Sequence, residues 1–182
     1  MAMADGTYRL GPESGELLLK TSRSGMGRRA GHDLVIEVTG WEGEVTLAGG
    51  EPDKATVSVR VEVDSLEVRD GLGGVKPLTD KDRAEIKNRL RDILDSGSHP
   101  EISFASTSVA GSAESATVEG DLTIRGRTAS VTVSVERVDD RVRGSTTVTQ
   151  TRWGIQPYTA FLGALKVADD VAVEFDAMLS EL

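Results

Sequence analysis

Apolar side chains fall at every second position through most of this chain. In "ATVSVRVEV", residues 55–63, Val57, Val59, Val61 and Val63 share one face of an extended backbone, and Ser58, Arg60 and Glu62 take the other. The same spacing returns at Leu34, Ile36 and Val38, at Trp41, Val45 and Leu47, and at Val118, Leu122 and Ile124. It continues at Val131, Val133 and Val135, and at Val171, Val173, Phe175 and Leu179. Such alternation calls for antiparallel strands with one dry face and one wet face. Turn-forming clusters separate the runs at "GGEPD" (49–53), "AGSAES" (110–115), "RGRT" (125–128) and "VDDR" (138–141). Roughly eight or nine strands follow.

One segment departs from this period. "TDKDRAEIKNRLRDILDSG" places Ile86, Leu90, Ile93 and Leu94 at helical spacing, so an amphipathic helix is predicted over about 80–95. Thr79 and Asp82 have the spacing of a capping box, and Gly97 is the expected stop. Glu85 and Arg89 stand one turn apart and are expected to pair. No repeat or linker divides the chain, so one domain over residues 1–182 is expected. Short antiparallel strands must stack as two sheets or close on themselves. A single inserted helix favours the second solution: an all-β, lipocalin-like antiparallel barrel of about eight strands, able to enclose one ligand. A sandwich satisfies the alternation equally.

Composition removes several function classes. The chain of 182 residues has a formal net charge of −9, the wrong sign for a polyanion such as nucleic acid. It contains no cysteine, which excludes disulfides, thiolate metal sites and thiol nucleophiles. The opening "MAMADGTYRLGPESG" has no basic segment leading into an apolar one, and no run has the length of a membrane span. A cytoplasmic location is the resulting expectation. Whether the protein is a monomer or a homodimer stays open.

Particular segments narrow the fold. "HPEISFAST" (99–107), "VEGDLTIRGRTASV" (118–131), "TRWGI" (151–155) and "VADDVAVEFDA" resemble stretches of the YceI family of lipocalin-like, polyisoprenoid-binding proteins. The 118–131 hairpin is the most specific of these, and a weaker likeness begins at Tyr8 in "YRLGPESGELLL". The resemblance implies a lipocalin-like barrel and a long apolar ligand. The chain departs from the family at Gly11, where an Asp is usual, and in lacking the secretion signal of many members. Family ligand contacts are spread through the barrel wall, so no residue role carries over singly.

Several side chains are candidate ligand contacts. Trp153, Tyr158 and Phe161 are three of only seven aromatics, and they crowd one long connection between two strands. They either form a rim over the barrel mouth or plug its closed end. Trp41 and Phe104 complete the ring-bearing candidates. Arg23, Arg28 and Arg29 belong to "LLLKTSRSGMGRRAGH" (17–32), a basic run without an acid. It either meets an anionic head group or membrane surface, or is a solvated loop. His32 shares the parity of Leu34 and Ile36. It either meets a ligand head group or serves as a general base, or it is partly buried and bonded to backbone. Adjacent strand residues face opposite ways, so Asp33 is badly placed to orient it.

No catalytic constellation emerges. "GLGGVKP" fails the phosphate-loop pattern because Pro77 follows Lys76. His99 has no acidic partner at ligand spacing, so no metal is expected, and no cofactor is called for. The leading reading is binding, sequestration or transport of an isoprenoid, quinone or other lipid inside the barrel. Its rivals are an enzyme using His32 and a filled-barrel interaction protein without a ligand.

Overall fold

The computed structural model describes residues 3–27, 29, 31–160 and 165–182. Its strands are β1 (Gly6–Leu10), β2 (Gly15–Lys20), β3 (Arg23–Ser24), β4 (Asp33–Val38), β5 (Trp41–Leu47), β6 (Thr56–Glu62) and β7 (Leu66–Leu72). After helix α1 (Asp80–Ile93) come β8 (Glu101–Gly111), β9 (Ser115–Ile124), β10 (Arg127–Val138) and β11 (Arg141–Thr149). The chain ends with β12 (Thr159–Ala160), β13 (Leu165–Val167), β14 (Asp170–Met178) and β15 (Ser180–Glu181).

Twelve of these strands form one antiparallel sheet, ordered β15-β1-β5-β6-β8-β9-β10-β11-β14-β2-β4-β7. The number exceeds eight because four long strands are each broken once. β1 and β2 follow one another across a turn at 11–14, and both lie against the continuous run β14–β15: Tyr8 faces Glu181 and Leu17 faces Phe175. On their other side, β1 pairs with β5 and β2 with β4. β5 and β4 pair in turn with β6 and β7, the halves of the next strand. A walk around the sheet from β1 therefore returns to the same strand at β2. Twelve segments make eight strands, four of them bent, and the cylinder closes; the sandwich is excluded.

The breaks line up on neighbouring strands, so the wall bends along one line. Thr39 N–H donates to the Ser65 carbonyl at 3.0 Å, and Glu62 N–H to the Gly40 carbonyl at 2.9 Å. At three of the four breaks the apolar parity switches. Leu10 gives way to Leu17 and Leu19, Val38 to Trp41, and Val61 to Leu66, and all of these face the interior. An inserted odd number of residues keeps the apolar set inside while the strand turns a corner.

Hairpins fall at all four turn clusters: β5–β6, β8–β9, β9–β10 and β10–β11. Helix α1 has the full capping box: Thr79 Oγ1 accepts from Asp82 N–H at 3.1 Å and Asp82 Oδ2 accepts from Thr79 N–H at 2.9 Å. Its stop is Asp95, not Gly97. Asp95 takes φ 50°, and Ser96 N–H returns to the Arg91 carbonyl at 3.0 Å, a Schellman closure with aspartate in the left-handed position. The helix lies along β7, whose outer edge has no strand partner. There Arg83 donates to the carbonyls of Val68 at 2.8 Å and Arg69 at 2.9 Å. No helix among the described residues is long and apolar enough to cross a membrane.

Candidate ligand cavity

The eight strands enclose a cavity of about 940 Å³. Valine, leucine and isoleucine from nearly every strand line it, among them Leu19, Leu34, Val59, Ile102, Leu122, Val133 and Val173. These residues are only half-buried although they point inward. Their exposed surface belongs to the lumen. An interior walled by short aliphatics cannot reach across to itself, and the result is a hollow within the size range of small-molecule sites.

The two ends of the barrel differ. Under the β9–β10 turn and the C-terminal end of α1, Trp153, Ile155, Ile124 and Val131 form a solid cluster. Trp153 is 1% exposed, and its indole N–H donates to the Leu122 carbonyl at 2.8 Å. It does not line the cavity, which corrects the expectation of a ligand contact at this residue: Trp153 closes part of the end as a plug. The short 3-10 turn at 150–153 folds the ring inward.

Beside the plug is a mouth. Its border comprises α1, the segment 73–79 before it, and a three-stranded flap ordered β12-β13-β3. Charged residues lining the cavity here are Arg23, Lys76, Arg89 and Lys166, set against Asp82 and Glu85. Tyr158 also lines it, 41% exposed, with the Arg89 guanidinium 5.9 Å from its ring centroid. That contact replaces the expected pairing of Arg89 with Glu85 as the feature that places the guanidinium. Arg89 was missed as a site residue, yet a signal existed: at three residues from Ile86 it lies within the apolar stripe of the helix.

His32 belongs to this border, with Nε2 2.6 Å from the Lys76 carbonyl. A carbonyl only accepts, so Nε2 carries the proton and Nδ1 holds the lone pair when the ring is neutral. The approach is close enough that Gly74 must lack a side chain: a Cβ there would lie 2.5 Å from Nε2, and its φ is +77°. Asp33 does not orient His32. It accepts from Arg23 instead, from the backbone N–H at 2.8 Å and from Nε at 3.0 Å, while Arg23 Nη1 donates to the Gly31 carbonyl at 2.6 Å.

The other sequence-derived candidates divide. Trp41 and Phe104 line the cavity. Arg29 is exposed and does not line it; of the described arginines of the basic run, Arg23 is the one that lines the cavity. Arg28 and Phe161 lie outside the described residues.

Known proteins share this architecture. The chain is similar in fold to BcnA of Burkholderia cenocepacia, at 15% identity and a TM-score of 0.65, over 94% of this chain and 99% of that one. It is likewise similar to the YceI protein of Campylobacter jejuni, at 12% identity and a TM-score of 0.58, over 81% and 84%. No curated protein matches the chain. The sequence model of the YceI-like domain matches residues 17–179. With that match spanning most of its length, the chain belongs to the YceI-like family.

Proposed function

We propose that the barrel binds a long-chain apolar small molecule, an isoprenoid, quinone or other lipid, and sequesters or carries it without chemical change. The observation that carries this reading is the aliphatic cavity of about 940 Å³. Each buried methylene contributes about 0.8 kcal/mol before ordering costs are subtracted. A chain of modest length therefore supplies ample gross affinity. The surplus of cations at the mouth suits a polar or anionic head group, held by Arg23, Lys76 and Arg89. His32 serves this reading better than the enzyme reading, because its Nε2 is committed to the Lys76 carbonyl and no carboxylate among the described residues hydrogen-bonds its ring.

Two measurements test the proposal. Native mass spectrometry followed by organic extraction should reveal a co-purifying lipid, and delipidated protein should take up a prenyl alcohol stoichiometrically. The two indoles then report separately. In Trp153→Phe, emission from Trp41 on the cavity wall should change saturably with added lipid; in Trp41→Phe, emission from the plugged Trp153 should stay constant. Failure of the delipidated protein to take up any long-chain lipid would overturn the carrier reading.

A further inference from the structure

Both described phenylalanines of this chain, Phe104 and Phe175, line the cavity, and each lies over a glycine of the neighbouring strand. Gly120 sits on the inward face of β9 between Val118 and Leu122, and a Cβ built there would overlap Cζ and Cε2 of Phe104. Gly144 sits on the inward face of β11, directly opposite Phe175 in the β11–β14 register, and a Cβ there would overlap Cε1 and Cζ of Phe175. Neither glycine has a positive φ. Their backbones are ordinary strand, so the missing side chain answers a demand for space, not for conformation. The rings occupy the space that two side chains would otherwise fill.

A phenyl ring on a barrel wall has two resting places. It stands into the lumen, or it lies flat on the wall where the neighbour has no side chain. Here both rings take the second. We propose that Gly120 and Gly144 set the bore of the lumen by letting Phe104 and Phe175 lie against the wall. The width they preserve selects methyl-branched or ring-bearing apolar ligands over slim straight chains. The inference rests on the carrier reading for its ligand, but the ring geometry stands apart from it. A side chain at either glycine displaces the ring inward and narrows the lumen. Removing the ring opens it again.

The test uses the full chain and two alcohols, farnesol and 1-dodecanol, which share main-chain length and a hydroxyl head but differ in farnesol's three methyl branches and three double bonds; 3,7,11-trimethyl-1-dodecanol, which keeps the branches without the double bonds, is run beside them. Each displaces a fluorescent apolar dye from wild type, Gly120→Ala, Gly144→Ala, Phe104→Leu, Phe175→Leu and the matched pairs. Wild type should prefer farnesol. Either alanine variant should cut that preference roughly tenfold, the scale of one methyl-sized misfit in an apolar pocket. The leucine partner should restore it in the double variant. Added Cβ atoms also approach strand carbonyls, 2.6 Å from Ala105 O and 2.8 Å from Ser134 O. Should the alanine variants fail to fold, the leucine variants alone must raise the farnesol preference. Preferences unmoved by both sets of variants would overturn the inference. Binding of neither alcohol by wild type would instead sink the carrier reading. The bore would then be judged by nuclear Overhauser contacts from the Phe104 ring to Gly120 Hα and from the Phe175 ring to Gly144 Hα, whose absence overturns it.

Discussion

Two indoles of the same chain meet opposite fates. Trp153 and Trp41 are both buried, and among the described residues the Trp153 N–H has a partner, the Leu122 carbonyl. Trp41 Nε1 is buried without a hydrogen-bond partner among the described residues. A buried donor left unmade costs about 1–3 kcal/mol, whereas removing such a donor relieves that cost. Trp153→Phe should therefore destabilise by about 2 kcal/mol, combining the lost bond with a small void. Trp41→Phe should lie within about 1 kcal/mol of wild type or on the stable side. Urea midpoints at a shared slope check both, and equal losses at the two positions would refute the distinction.

Single elements carry their own signatures. The Arg83 guanidinium satisfies two carbonyls on the outer edge of β7, where an unpaired strand edge otherwise offers a template to other chains. Arg83→Ala should speed amide exchange in residues 66–72 and raise the fraction of aggregate on storage, as light scattering would record. On the opposite wall, β11 and β14 are joined by Asp176, which accepts from Arg141 Nε and Nη2, both at 2.7 Å, and from Arg143 Nε at 2.9 Å. The hydrogen bond from Arg141 foremost, then that from Arg143, holds the Asp176 carboxyl below its ordinary range. A depressed carboxyl stabilises the fold fully above the unfolded value, about 3.9, and the gain is lost as pH falls through the folded value. The stability gap between wild type and Asp176→Asn should thus be constant near neutrality and close in acid. Its size will be small, because both arginines are more than half exposed.

At the scale of the molecule, closure of the sheet and hollowness of the interior are linked. Eight strands give a bore that aromatic side chains can fill, and this chain keeps its inward positions mostly aliphatic, with both described phenylalanine rings lying over glycines. Such a lumen stabilises little by itself and gains from an occupant. A bound lipid should raise the melting temperature in proportion to the logarithm of its concentration above Kd. Under the proposed carrier function, charge at the mouth bears on which lipid is held. Exchanging Lys76 and Arg89 for glutamate should weaken a prenyl phosphate more than the matching prenyl alcohol, and added salt should shrink the difference. Equal weakening of the two ligands would show that these cations do not read the head group.

The alternation at Val57–Val63, Val131–Val135 and Val171–Leu179 determined the strand class by itself, because a period of two leaves the backbone one way to bury its apolar face. Helix α1 was equally legible, since its stripe and capping box are local. Its stop was not. The left-handed residue is Asp95, and glycine preference alone pointed two residues further to Gly97. The parity switches at Leu10–Leu17 and Val38–Trp41 stood in the sequence as signs of bent strands, but their meaning depended on the breaks lying side by side in neighbouring strands. Only the tertiary structure decided where Trp153 and Tyr158 of the aromatic connection lie. Rim and plug demand the same residue types, and what separates these two rings is one indole finding the Leu122 carbonyl while Tyr158 found Arg89. The mouth itself was beyond local reading. It is assembled from β3, the 73–79 segment, α1 and β13, which are distant in the chain and meet only because the cylinder closes.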